Sequence, residues 1–173
     1  VHLTELLTAL ALVGLVFAAT VTVLTHGLSA YARGAARVES QQSARVALAR
    51  IAREIRQAGG GGRLAPIVVA EPARIVIQHD LDGDGAATAR GETVTWQLSA
   101  GGILRRNAGG GAQPIVNGVR AFALAYLDGD GRSTTVPADV RSVIITLTTE
   151  PEHPAAGAAT LTRLTTEVHL RNR

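Results

Sequence analysis

Residues 6–24 read LLTALALVGLVFAATVTVL, and residues 44–60 read ARVALARIAREIRQAGG; the way the first run passes into the second decides the fold. No Asp, Glu, Lys or Arg occurs from Leu6 to Tyr31, and a helix of that length crosses a bilayer core of about 30 Å. A removable signal peptide is shorter and carries basic residues ahead of its apolar run, which are missing here, so the stretch predicts a retained membrane helix rather than a signal or a buried core helix. In the second run, Val46, Leu48, Ile51, Ala52 and Ile55 recur among Arg45, Arg50, Arg53, Glu54 and Arg56, the spacing of one helical face. Residues 1–65 contain no proline, so both runs are expected on one helix from about Leu3 to Gln57, roughly 80 Å long at 1.5 Å per residue. Its first half would be apolar all round and its second half amphipathic. Gly59-Gly60-Gly61-Gly62 then stop it, since glycine continues a helix poorly and caps its C-terminus well.

After Gly62 the period changes from helical to two. Short runs starting at Ile75 (IVIQ), Thr93 (TVTWQL), Phe122 (FALAY), Ser142 (SVIITLT) and Leu161 (LTRLTTEVHL) read as strands. Val94, Trp96 and Leu98 fall on one face, and Phe122, Leu124 and Tyr126 on another. The expected fold is therefore α+β: a long N-terminal helix at 1–58, a glycine-rich junction at 59–65 and an antiparallel β head at 66–173. One apolar face of that head would pack on the stripe Val46, Leu48, Ile51 and Ile55. Tyr31, Trp96 and Tyr126 read as packing residues rather than a platform for a ligand or nucleic acid. The stretch Glu150 to Gly157, with Pro151 and Pro154, reads as a surface loop.

Composition narrows the function. The chain has 173 residues, which limits it to a modest domain and an appendage, and no cysteine, which removes disulfides and thiolate metal sites together. The net charge of +3 is carried entirely by arginine on the basic side, so a high isoelectric point does not signal a strongly cationic protein. Residues 1–58 hold six Arg against three Glu, and the remainder is balanced at eleven against eleven. Arg50, Arg53 and Arg56, or Arg105 and Arg106, are interleaved with acids and read as solvated faces or salt bridges more readily than as a nucleic-acid footprint. His2, His26, His79, His153 and His169 lack metal-ligand spacing, and no nucleophile elbow, P-loop or dinucleotide fingerprint is present, so no enzyme is expected.

Two acidic turns stand out. Asp80-Leu81-Asp82-Gly83-Asp84-Gly85 places carboxylates at alternate positions before a glycine, as at the start of a calcium loop. The twelfth position is Gly91, with Glu92 one place late, so this is no EF-hand; calcium at Asp80, Asp82 and Asp84 and a solvated hairpin turn both remain open. Asp128-Gly129-Asp130-Gly131 carries only two carboxylates and reads as a plain turn.

The beginning VHLTELLTALALVGL resembles the processed N-terminus of type IV pilins and type II secretion pseudopilins, whose mature chains have a Glu where Glu5 stands and continue as a long helix. The stretch from Ala44 to Gly60 and the ending TRLTTEVHLRNR resemble the minor-pilin branch of that family. No methionine occurs, position 1 included, which fits an expectation that a leader has been removed. The resemblance implies that Val1 carries the α-amino group left by a prepilin peptidase, and that Glu5 pairs with the Val1 amine of a neighbouring subunit. A carboxylate carried to mid-bilayer costs about 2.5 to 3.5 kcal/mol, so it would act there as a register device. A plainer role for Glu5 is to favour the positive end of its own helix. Arg33 and Arg37 follow the apolar run, which by the positive-inside rule alone would lie in the cytoplasm, whereas the resemblance places it outside. Thr22 stands where many major pilins have proline. The implied function is a structural subunit held in the inner membrane and polymerised by assembly machinery into a type IV pilus-like extracellular filament. The alternatives are a minor pilin or pseudopilin that initiates or caps a filament, and a membrane-anchored calcium-dependent binding module.

Overall fold

A computed structural model describes residues 2–151 and 161–171; Val1 and the 152–157 part of the expected surface loop lie outside the described residues. Helix α1 runs unbroken from Leu3 to Gln57, 55 residues, straight through Gly14 and Thr22. Its buried residues are Ala44, Ala47, Leu48, Ile51, Ala52 and Ile55, spaced three and four apart along one stripe. Val46 corrects the expected stripe: it sits two positions before Leu48, more than half a turn around the helix, and is 58 % exposed. The small side chains of Ala44, Ala47 and Ala52 take its place and bring the helix close to the head.

The glycines end α1 for a reason the side chain explains. Ala58 turns extended (φ −62°, ψ 152°), and Gly59 through Gly62 then take φ values of 95°, 49°, 68° and 90°, four successive left-handed residues. A Cβ on Gly60 would lie 2.5 Å from the Cβ of Asp80, so this position also lets the 80–92 loop approach the helix end. The Gly59 N–H donates to the Gln78 carbonyl at 2.9 Å, tying the junction to the sheet.

The described head contains two antiparallel sheets. Strands β1 (Ile67–Glu71), β2 (Arg74–Gln78), β3 (Thr93–Leu98), β4 (Leu104–Asn107) and β5 (Ala112–Val116) form a five-stranded sheet in sequential order. Strands β6 (Val119–Leu127), β7 (Ser142–Thr149) and β8 (Thr162–His169) form a three-stranded one. The five runs read from period-two patterning correspond to β2, β3, β6, β7 and β8. Val94 and Trp96 are buried from the first sheet, and Phe122, Leu124 and Tyr126 from the second, in one core that includes the α1 stripe. The protein is thus α+β, a helix packed against antiparallel sheet, with half of the helix left outside the packing.

Two polar anchors cross this core. Glu54 of α1 accepts from Trp96 Nε1 at 2.7 Å and from Arg106 Nε at 2.8 Å, and Arg50 approaches the same carboxylate at 3.3 Å. Trp96 is fully buried, so this bond removes the cost of an enclosed indole N–H without a partner. Tyr126 of the second sheet donates its hydroxyl to the Glu71 carbonyl at 2.8 Å in the first. Burial beside Glu71 pushes the Tyr126 phenol well above its ordinary range, so it remains a donor.

Candidate functional site

The most exposed apolar surface of the molecule is the first half of α1. Every residue from His2 to Ala35 is exposed, a rod of about 50 Å. Leu10, Leu15, Phe17 and Val23 are each 69 to 72 % exposed, and the best apolar window has a mean hydropathy of 2.4 with none of it buried in the head. Length and composition suit a membrane span, a criterion that signal sequences also meet.

Several hydroxyls on this rod are satisfied within it. Thr20 donates to the Val16 carbonyl, Thr22 to Ala18 and Ser29 to Thr25, each at 2.8 to 2.9 Å, and Thr8 reaches the carbonyls of Thr4 and Glu5. Such back-bonding leaves no hydroxyl of these four residues to be desolvated bare when the rod enters lipid or protein. Glu5 sits in the first turn and accepts the His2 backbone N–H at 3.1 Å. It therefore neutralises part of the positive end of its own helix. Val1, the other half of the expected pair, lies outside the described residues.

The loop from Asp80 to Arg90 is the second feature. One oxygen each from Asp80, Asp82 and Asp84 lies within 4.8 Å of the others, close enough for a single calcium ion whose oxygen ligands stand 2.3 to 2.6 Å away. The same carboxylates also build the turn. Asp80 accepts from the Gly83 N–H (2.7 Å) and the Gly85 N–H (3.2 Å), Asp82 from Asp84 (3.2 Å) and Asp84 from Ala86 (2.7 Å). Glu92 turns inward: fully buried, it accepts from the Leu81 N–H at 3.0 Å and the Ala89 N–H at 2.7 Å. The amides of Ala89 and Leu81 hold its carboxyl below the ordinary glutamate value, and it closes the loop from beneath. The set thus fits a hard cation in part: three side-chain oxygens of the six to eight that calcium takes, with Glu92 committed elsewhere. Asp128 and Asp130 do not join it. Asp128 accepts from the Asp130 and Arg132 amides (2.9 and 2.8 Å), and Asp130 pairs with Arg132, a turn between β6 and β7.

The arginines separate in space. Arg50 and Arg106 converge on Glu54, while Arg105 donates to the Ala112 carbonyl. Arg53 and Arg56, within two turns of Arg50 in sequence, face the other flank of α1 and line a groove against β8 together with Arg45 and Arg171. Residue spacing alone could have placed Arg45, Arg53 and Arg56 on one face; that β8 would form the opposite wall had no local signal.

No protein-family model matches the chain, and no curated protein matches it.

Proposed function

We propose that the protein is a structural subunit of a type IV pilus-like filament, which polymerises by packing the first half of its helix against the same segment of its neighbours. The observation that carries this reading is the pairing on one continuous helix of an apolar, fully exposed half with a half built into the head core. Such a surface must be covered by lipid or by like helices, and the polymer is the state in which it leaves the membrane without meeting water. The resemblance of VHLTELLTALALVGL to pilin N-termini supplies the second support, and Glu5 the third. A carboxylate that accepts one N–H of its own helix still has lone pairs for an incoming amine, so its interaction with a neighbouring Val1 would fix how far one helix slides along the next. Before assembly the subunit would lie in the inner membrane, with a prepilin peptidase and assembly machinery as its partners.

Glu5→Ala tests this. Filaments sheared from cells that make the protein, counted by electron microscopy and mass spectrometry, are expected to fall at least tenfold while the protein stays in the membrane. An undiminished yield of filaments would remove Glu5 from assembly, and the absence of any filament from the unaltered protein would remove the reading itself. A trace of this chain beside a more abundant subunit would favour the minor, initiating role.

Calcium at Asp80, Asp82 and Asp84 is a second reading, favoured by the gathering of three carboxylates within 4.8 Å. It would make the head a calcium-steadied module, whether or not the chain polymerises. Calcium at ten times its dissociation constant stabilises a one-site protein by about 1.4 kcal/mol, so a rise of several degrees in melting temperature is expected, and none in an Asp82→Asn, Asp84→Asn variant.

A further inference from the structure

Between the second half of α1 and β8 runs an open groove of about 630 Å³. Arg45, Arg53, Arg56 and Arg171 stand around it, all exposed, and none of them has an ion-pair or hydrogen-bond partner among the described residues. Its floor is apolar, formed by Leu48, Ala52 and Leu164. A cationic rim over an apolar floor fits a ligand that carries negative charge next to an exposed aliphatic side chain.

The chain itself carries that shape. In the Asp80–Gly85 loop, Leu81 is 68 % exposed beside the Asp80, Asp82 and Asp84 carboxylates, which gather within 4.8 Å of one another, and Glu92 holds the Leu81 N–H from within. The loop belongs to the five-stranded sheet and the groove is walled by the three-stranded one, and within one copy they do not pair. A knob and a socket that do not pair within one copy make, between copies, a heterologous contact, which propagates from copy to copy and closes into a ring or extends into a helix.

We propose that the Asp80–Gly85 loop of one subunit docks in the arginine groove of the next, with Leu81 on the apolar floor and the aspartates against Arg45, Arg53 and Arg56. This rests on the filament reading and adds to it a head-to-head contact independent of the helix packing. Leu81 is the anchor, the kind of central apolar residue that dominates an interface. The surrounding charges set orientation and exclude displaced registers.

The absence of cysteine provides the test. Ala86→Cys, just after the loop, combined with Ala49→Cys, which lines the groove, is made in the full-length chain with Leu81 kept, and sheared filaments are oxidised in EDTA and run without reductant. The double variant is expected to give a ladder of disulfide-linked oligomers, and each single variant none beyond dimer. Adding Arg53→Glu and Arg56→Glu is expected to cut the ladder at least tenfold, and Asp82→Arg with Asp84→Arg in the same chain to restore it. Filaments that form normally without a ladder would overturn the docking contact and leave the filament reading standing. A ladder that ignores the charge reversals would overturn the arginine-aspartate pairing. If the unaltered protein forms no filament, the filament reading fails and this contact fails with it.

Discussion

The two halves of α1 share one backbone and one set of helix-forming rules, yet they end in opposite environments. From Ala44 to Arg56 the helix mixes alanine and larger aliphatics along a single stripe, and its other faces carry Arg45, Arg50, Arg53 and Arg56. From Leu3 to Ala35 apolar residues occupy every face, and not one is covered. A one-sided stripe is satisfied by one partner, here the head of the same chain. An all-round apolar surface is satisfied only by surroundings on every side, which a single copy of this small head does not provide. The helix is thus a joint between an intramolecular core and an environment that the monomer lacks.

That contrast is most sharply broken at Glu54, the polar group that fixes the second half to the head. Glu54→Ala would leave Trp96 Nε1 and the Arg106 guanidinium enclosed without their acceptor, and a loss of about 3 kcal/mol in head stability is expected. Urea titration followed by Trp96 fluorescence, on the full chain in detergent, measures it, and Trp96 is the only tryptophan, so the probe sits at the anchor. A change under 0.5 kcal/mol would mean that the helix is held by its aliphatic stripe alone. A second, purely steric contrast comes from one substitution class at two places on the same helix. Ile51→Ala removes a fully buried side chain and is expected to cost about 2 to 5 kcal/mol, whereas Val46→Ala, five residues earlier and mostly exposed, should stay within about 0.5 kcal/mol. Equal losses would place Val46 in the core after all.

Val46 also shows what local pattern carries and what it omits. Hydrophobic period identified α1, its approximate ends and the five strands whose apolar residues alternate, because those signals are set by the backbone geometry of each element. It passed over β1, β4 and β5. In β5, Ala112–Val116, Pro114 argues against a strand, but β5 is the outer strand of its sheet, where proline is tolerated. In β4, Leu104–Asn107, Arg105 and Arg106 interrupt any apolar alternation, and Arg106 faces inward only because Glu54 receives it. Partners 42 and 52 residues apart, as in the Glu54 anchor, leave no periodic trace. The acidic loop was legible as three spaced carboxylates, but the inward turn of Glu92 depends on amides at both ends of the loop, which only the folded chain brings to one point.

The smallest expected effect concerns the boundary between helix and loop. His79 is buried where α1 ends and the 80–92 loop begins, and burial lowers its pKa below the ordinary 6.5. The Gln57 carbonyl and the nearby Glu54 charge oppose that shift, and Arg106 adds to it. Below about pH 6.5 the unfolded chain therefore takes up a proton that the folded chain refuses, and stability falls as the pH drops toward the folded value. Above pH 6.5 this residue contributes no slope. Glu92 also has a lowered pKa, but its ordinary value is 4.5, so its contribution is complete above that pH and is lost only as the pH falls through its folded value. The two windows are separable: thermal melts between pH 7 and pH 5 report His79, and melts below pH 4.5 report Glu92. His79→Gln is expected to flatten the first slope and leave the second unchanged. If the slope between pH 7 and pH 5 persists in His79→Gln, the titrating group lies elsewhere, and the junction between the built-in half of the helix and the acidic loop is insensitive to protonation.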